Sequence, residues 1–251
     1  MKTWAVITGA GTGIGAALAK ELSGHGFNVL AIGRRLTPLQ ETQKSSPDTI
    51  HPLAVDIATS DGQRKILDFI PEGDNIKYLV QNAAVGAPSR LQDIQREEFE
   101  YAFSVNVTAP LMLVKGFFPR LNNSKGRIIH LGTGVAKNPQ LGTITYGITK
   151  MAFQRLFEQL VVELKGSNVQ IAEIHPGVVD TEGLWEHIKL AKEQKLPHVS
   201  YFDEVQKEGR MSTAEISAKF LKFVLVDSSD EEFSTVWNIH DNKHWQHWKT
   251  N

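Results

Sequence analysis

The chain has 251 residues, enough for one sizeable core in an α/β domain. Hydrophobic residues make up 41% and charged residues 22%, and 27 Lys and Arg stand against 28 Asp and Glu. That balance leaves no global field to draw nucleic acid or an anionic membrane. With no cysteine, disulfides and thiolate metal sites are excluded, so redox chemistry has to come from a cofactor.

Residues 4–8 read as a strand, 13–23 as a helix and 28–32 as a second strand. The alternation continues with a helix over 36–44, a strand over 50–55, a helix over 60–70 and a strand over 77–82. A long helix follows over about 97–121, then a strand over 127–131, a helix over 146–165 and a strand over 169–174. A helix over 213–226 and a strand over 234–239 close the pattern. Runs apolar at successive positions, such as Val29-Leu30-Ala31-Ile32, suit a parallel sheet covered on both faces. Strand–helix alternation with right-handed crossovers predicts a doubly wound α/β fold. Residues 180–210 break the rhythm and are polar. They follow a strand end, where ligands bind in such sheets, so they are a candidate substrate lid.

No basic start with an apolar run marks a secretory leader, and no apolar stretch approaches the roughly 20 residues that span a bilayer. Cytoplasm is the expected compartment.

Gly9, Gly13 and Gly15 follow the first strand and open the first helix. Side chains there would hold the backbone away from a pyrophosphate, and the helix N-terminus offers free N–H groups and partial positive charge. A tight turn without a ligand uses the same residues, but the strand and helix flanks favour a dinucleotide. The second strand ends in Gly33-Arg34-Arg35, where related folds place an acid on the ribose. Two guanidiniums and no carboxylate favour the 2′-phosphate of NADP(H), Arg34 more than Arg35, which could equally be solvated. Asp56, at the end of the third strand, could accept from the adenine amino group or cap the next helix.

Tyr146 and Lys150 are four apart on a helix, so their side chains are neighbours. An ammonium nearby lowers a phenol's pKa and makes it a usable acid or base. Upstream, Leu131-Gly132-Thr133-Gly134 sets a hydroxyl, Thr133, at the carboxyl edge of the sheet. That hydroxyl can hold a carbonyl oxygen while Tyr146 protonates it.

With these pieces the chain resembles the short-chain dehydrogenases/reductases over nearly its whole length. The shared residues are Thr8, Gly9, Gly13, Ile14 and Gly15; Asp56; Asn82-Ala83-Ala84; Asn106; Tyr146 and Lys150; and Pro176-Gly177 followed by Thr181. The resemblance implies a single Rossmann-type domain over 1–251, with a parallel sheet of about seven strands. It implies Tyr146 as general acid/base and Lys150 on the nicotinamide ribose, tuning Tyr146. Asn106 would hold a relay water, and Asn82 would support the sheet beside the cofactor. Thr181 would contact the carboxamide, and Pro176-Gly177 would shape the nicotinamide pocket. Thr12, Ile57, Ala83 and Val179 would join the cofactor-binding set. Thr133 stands at the family's catalytic serine; it keeps the hydroxyl but adds a methyl and a stiff χ1. Ala84 replaces the usual glycine, which would strain alanine if the position needs positive φ.

The tail's His240, His244 and His247 could suggest a metal, but no ligand set is completed and packing beside Trp237, Trp245 and Trp248 is the expectation. Those tryptophans could also wall the substrate pocket of a neighbouring subunit. Phe153, Phe157, Leu160, Val161 and Leu164 give the Tyr146 helix excess apolar surface. The resemblance implies that this helix and the one before it pair with a second subunit, in a homodimer or homotetramer. Trp185, His187, His198, Tyr201 and Phe202 could line a pocket within the insert. The whole predicts an NADP(H)-dependent carbonyl reductase/alcohol dehydrogenase acting on a small-molecule ketone, diketone or aldehyde. Resemblance to benzil-reductase and sepiapterin-reductase-like members leans toward diketones or pteridine side-chain carbonyls. The alternatives are an NAD-linked alcohol or sugar dehydrogenase and a non-catalytic dinucleotide sensor.

Overall fold

Val29, Leu30, Ala31 and Ile32 are all fully buried, so both faces of their strand meet apolar neighbours. The computed structural model, which describes residues 1–233, 236–244 and 248, shows what covers them. The N-terminal half runs β1 (Thr3–Thr8), α1 (Gly13–Gly24), β2 (Asn28–Gly33), α2 (Leu36–Gln43), β3 (Ile50–Ala54), α3 (Ser60–Phe69) and β4 (Asn75–Gln81). The chain continues through α4 (Arg96–Phe103), α5 (Ala109–Ser124), β5 (Arg127–Leu131), α6 (Ile144–Glu163) and β6 (Gln170–His175). Last come β7 (Val179–Asp180), α7 (Glu182–Glu193), α8 (Val199–Lys207), β8 (Ser212–Thr213), α9 (Ala214–Lys222), α10 (Asp230–Phe233) and β9 (Val236–Asn238).

Seven strands form one parallel sheet in the order β3-β2-β1-β4-β5-β6-β9. One face is covered by Leu18 and Leu22 of α1 with Phe220 and Leu221 of α9. The other is covered by Ile66 of α3, Leu113 and Phe117 of α5, and Phe157 and Leu160 of α6. This is the single Rossmann-type domain expected. Strand order reverses between β1 and β4, which opens a crevice at the carboxyl ends of the strands.

Several boundaries differ from the sequence reading. The long helix runs from Arg96 to Ser124 and is interrupted by a π-helical turn over Ser104–Thr108. Such a turn inserts an extra residue, and Asn106 sits inside it. The Arg96–Ser124 run contains a stretch long and apolar enough by composition to cross a membrane. Its apolar side, however, including Val105, Ala109, Leu113 and Phe117, is spent on the core. The helix expected over 213–226 is α9 followed by a second wide turn, Phe223–Asp227. Of the last strand, positions 234 and 235 lie outside the described residues, as do Trp245 and His247 and the side chain of His244.

The 180–210 insert folds as the two helices α7 and α8. Its ends are tied together, because β7 and β8 pair in parallel, Val179 with Ser212 and Asp180 with Thr213. A long excursion is thereby anchored at its base.

Candidate active site

The glycine turn is built by close approach. Gly9 and Gly13 have φ of +69° and +55°, a region that disfavours side chains. A Cβ on Gly15 would lie 2.3 Å from the Gly9 carbonyl oxygen and 2.6 Å from Asn82 Nδ2. Asn82 holds the turn, donating to the carbonyls of Thr8 and Gly9 at 2.8 and 3.1 Å. The Thr8 hydroxyl accepts from the N–H groups of Asn82 and Ala83, both at 3.1 Å. The neighbouring Ala84 lies outside the positive-φ set, so the alanine carries no backbone strain. Thr12 precedes α1 without a side-chain cap, and the first turn has no acid. The N–H groups around Ile14 therefore face the crevice with their partial positive charge uncancelled. Thr181 packs its methyl against Gly13, which brings the base of the insert to this turn.

At the end of β2, Arg34 donates to the Tyr101 hydroxyl at 3.1 Å, and that hydroxyl donates to Asp56 Oδ2 at 3.0 Å. Asp56 Oδ1 accepts from the Ala58 N–H at 2.9 Å. Asp56 thereby closes the turn before α3, whose N-cap is Thr59, and takes Tyr101 as a second partner. Ile57 is buried beside it. Arg35 leans the other way and pairs with Glu182 of α7 at 3.2 Å, both side chains being largely exposed.

The proton-transfer residues meet behind the ends of β4 and β5. Thr133 caps a short helical turn, accepting from Val135 N–H at 3.4 Å, and its side chain lies close enough to Tyr146 to influence the phenol. Burial of the Tyr146 hydroxyl pushes the phenol up to about 12, and the nearby Thr133 hydroxyl works against that rise. The sequence led us to expect an ammonium lowering the phenol; burial dominates here instead. Lys150 donates to the Leu131 carbonyl at 2.6 Å and lies 4.6 Å from the Phe153 ring centre. Burial brings its ammonium down to about 8, opposed by the Glu173 carboxylate. Asn106 accepts from Val85 N–H at 2.9 Å and donates to Val85 O at 2.7 Å and Thr149 Oγ1 at 2.8 Å. It thereby locks the segment after β4 to α6. Gly86 in that segment lies against Tyr146, where a Cβ would come within 3.0 Å.

A cavity of about 1410 Å³ opens in front of these groups. Arg34, Thr133, Tyr146, Pro176, Gly177 and Val179 line it. Gly9 to Gly15, Asp56, Asn106 and Lys150 are not on its lining. The insert supplies the opposite side, with His187, Tyr201 and Phe202 on the lining. Trp185 is not part of it; its indole N–H donates to Asp180 at 2.6 Å. His198 stands one layer back, with its Nε2 3.1 Å from that of His187. His240 and Trp248 of this same chain also reach the lining, so a tryptophan wall needs no second subunit. Among the described residues, no cluster that could hold a metal is found.

Against known proteins, the family model for short chain dehydrogenases matches residues 3–190. The chain belongs to the short-chain dehydrogenase family. This short-chain dehydrogenase is 31% identical over 245 residues to a benzil reductase ((S)-benzoin forming) of Bacillus cereus, covering 92% of this chain and 95% of that one. It is 31% identical over 180 residues to a serine 3-dehydrogenase of Agrobacterium fabrum, covering 70% and 72%. In fold it is similar to L-sorbose reductase of Gluconobacter frateurii, solved with NADPH and L-sorbose. There the TM-score is 0.82 at 23% identity, over 95% of each chain. It is an oxidoreductase of this family.

Three features of the short-chain dehydrogenase site were not visible in its sequence. Tyr101 bridges Arg34 and Asp56 from 67 and 45 residues away. Glu173, 2% exposed, meets His175 at 2.7 Å, filling space left by the missing side chain of Gly132. Its register partner His130 stacks on Phe153 at 4.3 Å, and burial holds it near 3. A buried acid on β6 was legible as an oddity in an apolar strand; its partners were not.

Proposed function

We propose that this short-chain dehydrogenase is an NADP(H)-dependent carbonyl reductase/alcohol dehydrogenase acting on a ketone, diketone or aldehyde. The observation that carries the reading is that Thr133 and Tyr146 share the wall of one cavity that also reaches Arg34. The residues suit a dinucleotide: the turn around Gly15 has no room for a Cβ, and α1 opens with neither cap nor acid. NADPH, when bound, supplies the hydride. Arg34 would hold its 2′-phosphate, since Asp56, the carboxylate that shares Tyr101 with it, reaches it only through that hydroxyl and forms no ion pair with it. Lys150 would hold the nicotinamide ribose; Thr181, Val179 and Pro176-Gly177 would hold the nicotinamide end.

In reduction, the Thr133 hydroxyl holds the carbonyl oxygen and Tyr146 delivers a proton to it. Lys150, four residues on, and Asn106, fixed between the β4 segment and α6, would carry the refilling proton with water. The benzil reductase of Bacillus cereus, matched along almost the whole chain, supports a carbonyl and particularly a diketone. Following nicotinamide absorbance with diketones, quinones and aldehydes tests the reading. Turnover with NADPH supports it, and binding of the dinucleotide without any turnover would favour the sensor alternative.

We also propose a homodimer or homotetramer. Phe153, Phe157 and Leu160 are consumed by the protein's own core, but Leu111, Phe118, Ile148, Met151 and Val162 of α5 and α6 remain exposed.

A further inference from the structure

The insert carries two imidazoles whose protons can be assigned from their partners. His198, 8% exposed, places Nδ1 3.1 Å from the Leu141 carbonyl oxygen. A carbonyl only accepts, so His198 Nδ1 carries a proton. The two Nε2 atoms of His198 and His187 are 3.1 Å apart, and one proton must lie between them. Among the described residues no carboxylate contacts either ring, and Phe202 meets both in edge geometry, at 5.9 and 6.1 Å between centres. Burial and mutual repulsion hold His187 down to about 4, and burial lowers His198 as well. Both rings are therefore neutral at neutral pH. Neutral His198 has its one proton on Nδ1, so its Nε2 accepts and His187 Nε2 donates. That leaves a bare lone pair on His187 Nδ1. His187 lines the cavity shared with Thr133 and Tyr146, and among the described residues its Nδ1 makes no hydrogen bond.

We propose that His187, oriented by His198 and the Leu141 carbonyl, is a specificity residue whose Nδ1 accepts a hydrogen bond from a hydroxyl on the substrate, remote from the reacting carbonyl. This rests on the carbonyl-reductase reading above and narrows its substrate to hydroxylated ketones or aldehydes. The relay fixes the polarity: the one uncommitted ring nitrogen of this cavity-lining side chain carries a lone pair, so a hydroxyl is welcomed and a carboxylate or sulfonate at the same place is repelled. An isolated imidazole could turn over to offer an N–H; this one cannot without breaking the bond to His198.

Two measurements test the inference. The first compares kcat/KM, with NADPH, for methyl ketones of increasing length ending in a hydroxyl and for the same ketones ending in a methyl. At least one hydroxylated member is expected to be preferred by about tenfold, the size of one hydrogen bond, and His187→Leu is expected to collapse that ratio to near one. No preference at any length, or a preference that survives His187→Leu, overturns the inference while leaving the reductase reading intact. Absence of turnover with every carbonyl would instead overturn the reductase reading itself. The second is nitrogen NMR of the wild-type protein at neutral pH, which needs no turnover. It is expected to show His198 protonated on Nδ1 and His187 protonated only on Nε2. A His187 protonated on Nδ1, or a charged ring at either position, would overturn the assignment.

Discussion

Arg35 and Glu182 meet at 3.2 Å, joining the end of β2, where the 2′-phosphate is expected, to the first turn of α7 at the base of the insert. Both side chains are more than half exposed, so the pair itself contributes at most about 1 kcal/mol to stability. Its consequence is for the cofactor. Glu182→Gln frees Arg35 for the phosphate and is expected to raise the NADPH over NADH affinity ratio several-fold. Arg34→Asp is expected to lower that ratio by tenfold or more. Titration of both nucleotides into each variant reads the ratios, and an unchanged ratio in Arg34→Asp contradicts the phosphate assignment.

The glycine turn makes a steric prediction with an internal control. Gly15→Ala places a methyl 2.3 Å from the Gly9 carbonyl oxygen. Overpacking of this kind costs about 1–3 kcal/mol, so Tm falls by several degrees and nucleotide binding is lost. A Cβ on Gly24, the last residue of α1, meets nothing within 4 Å. Gly24→Ala is expected to leave Tm unchanged or raise it slightly. Thermal melts of the two variants check both.

Burial of Lys150 sets a pH dependence. Its folded pKa of about 8 lies below the ordinary 10.5, so between those values the unfolded chain binds more protons than the folded one. Stability from this group therefore rises with pH across that window, and its penalty is full below about pH 8. Lys150→Met is expected to flatten the rise by on the order of 1–3 kcal/mol, read as denaturant midpoints of the two proteins near neutral pH and near pH 10. Tyr146, held high at about 12, keeps its proton at neutral pH. The reductive kcat/KM should accordingly be flat through neutrality, while alcohol oxidation should climb with pH because it needs the phenolate.

The exposed apolar residues of α5 and α6 predict self-association. If the wild type is the proposed oligomer, Ile148→Lys with Met151→Glu is expected to run as a monomer without lowering α-helix content. Light scattering after gel filtration, with circular dichroism, reads both.

How much of this was legible beforehand depended on how local each signal was. The sheet was, because Val29 to Ile32 are apolar at every position and only a doubly covered strand tolerates that. The glycine turn and the Tyr146 and Lys150 spacing are local too, and each element formed within a few residues of its expected limits. The π-turn around Asn106 was not, because no residue in Ser104–Thr108 forbids an ordinary helix; the hydrogen bonds to Val85 and Thr149 hold it. The Tyr101 bridge is made between separate elements and the His187–His198 contact by the path of the insert, which carries no periodic signal; the Glu173–His175 pair, two apart on β6, is local, but the burial that makes it matter is not. Lys150 was expected to acidify Tyr146, but helical spacing says nothing about the Leu131 carbonyl that draws the ammonium inward.

The central claim is that the Tyr146 hydroxyl delivers the proton to a carbonyl held at Thr133. Steady-state NADPH oxidation by the wild type and Tyr146→Phe, with the ketone that is turned over fastest, tests it most directly. The account predicts a fall in kcat of at least about 100-fold, with NADPH affinity and Tm unchanged. Turnover by Tyr146→Phe at the wild-type rate would contradict it.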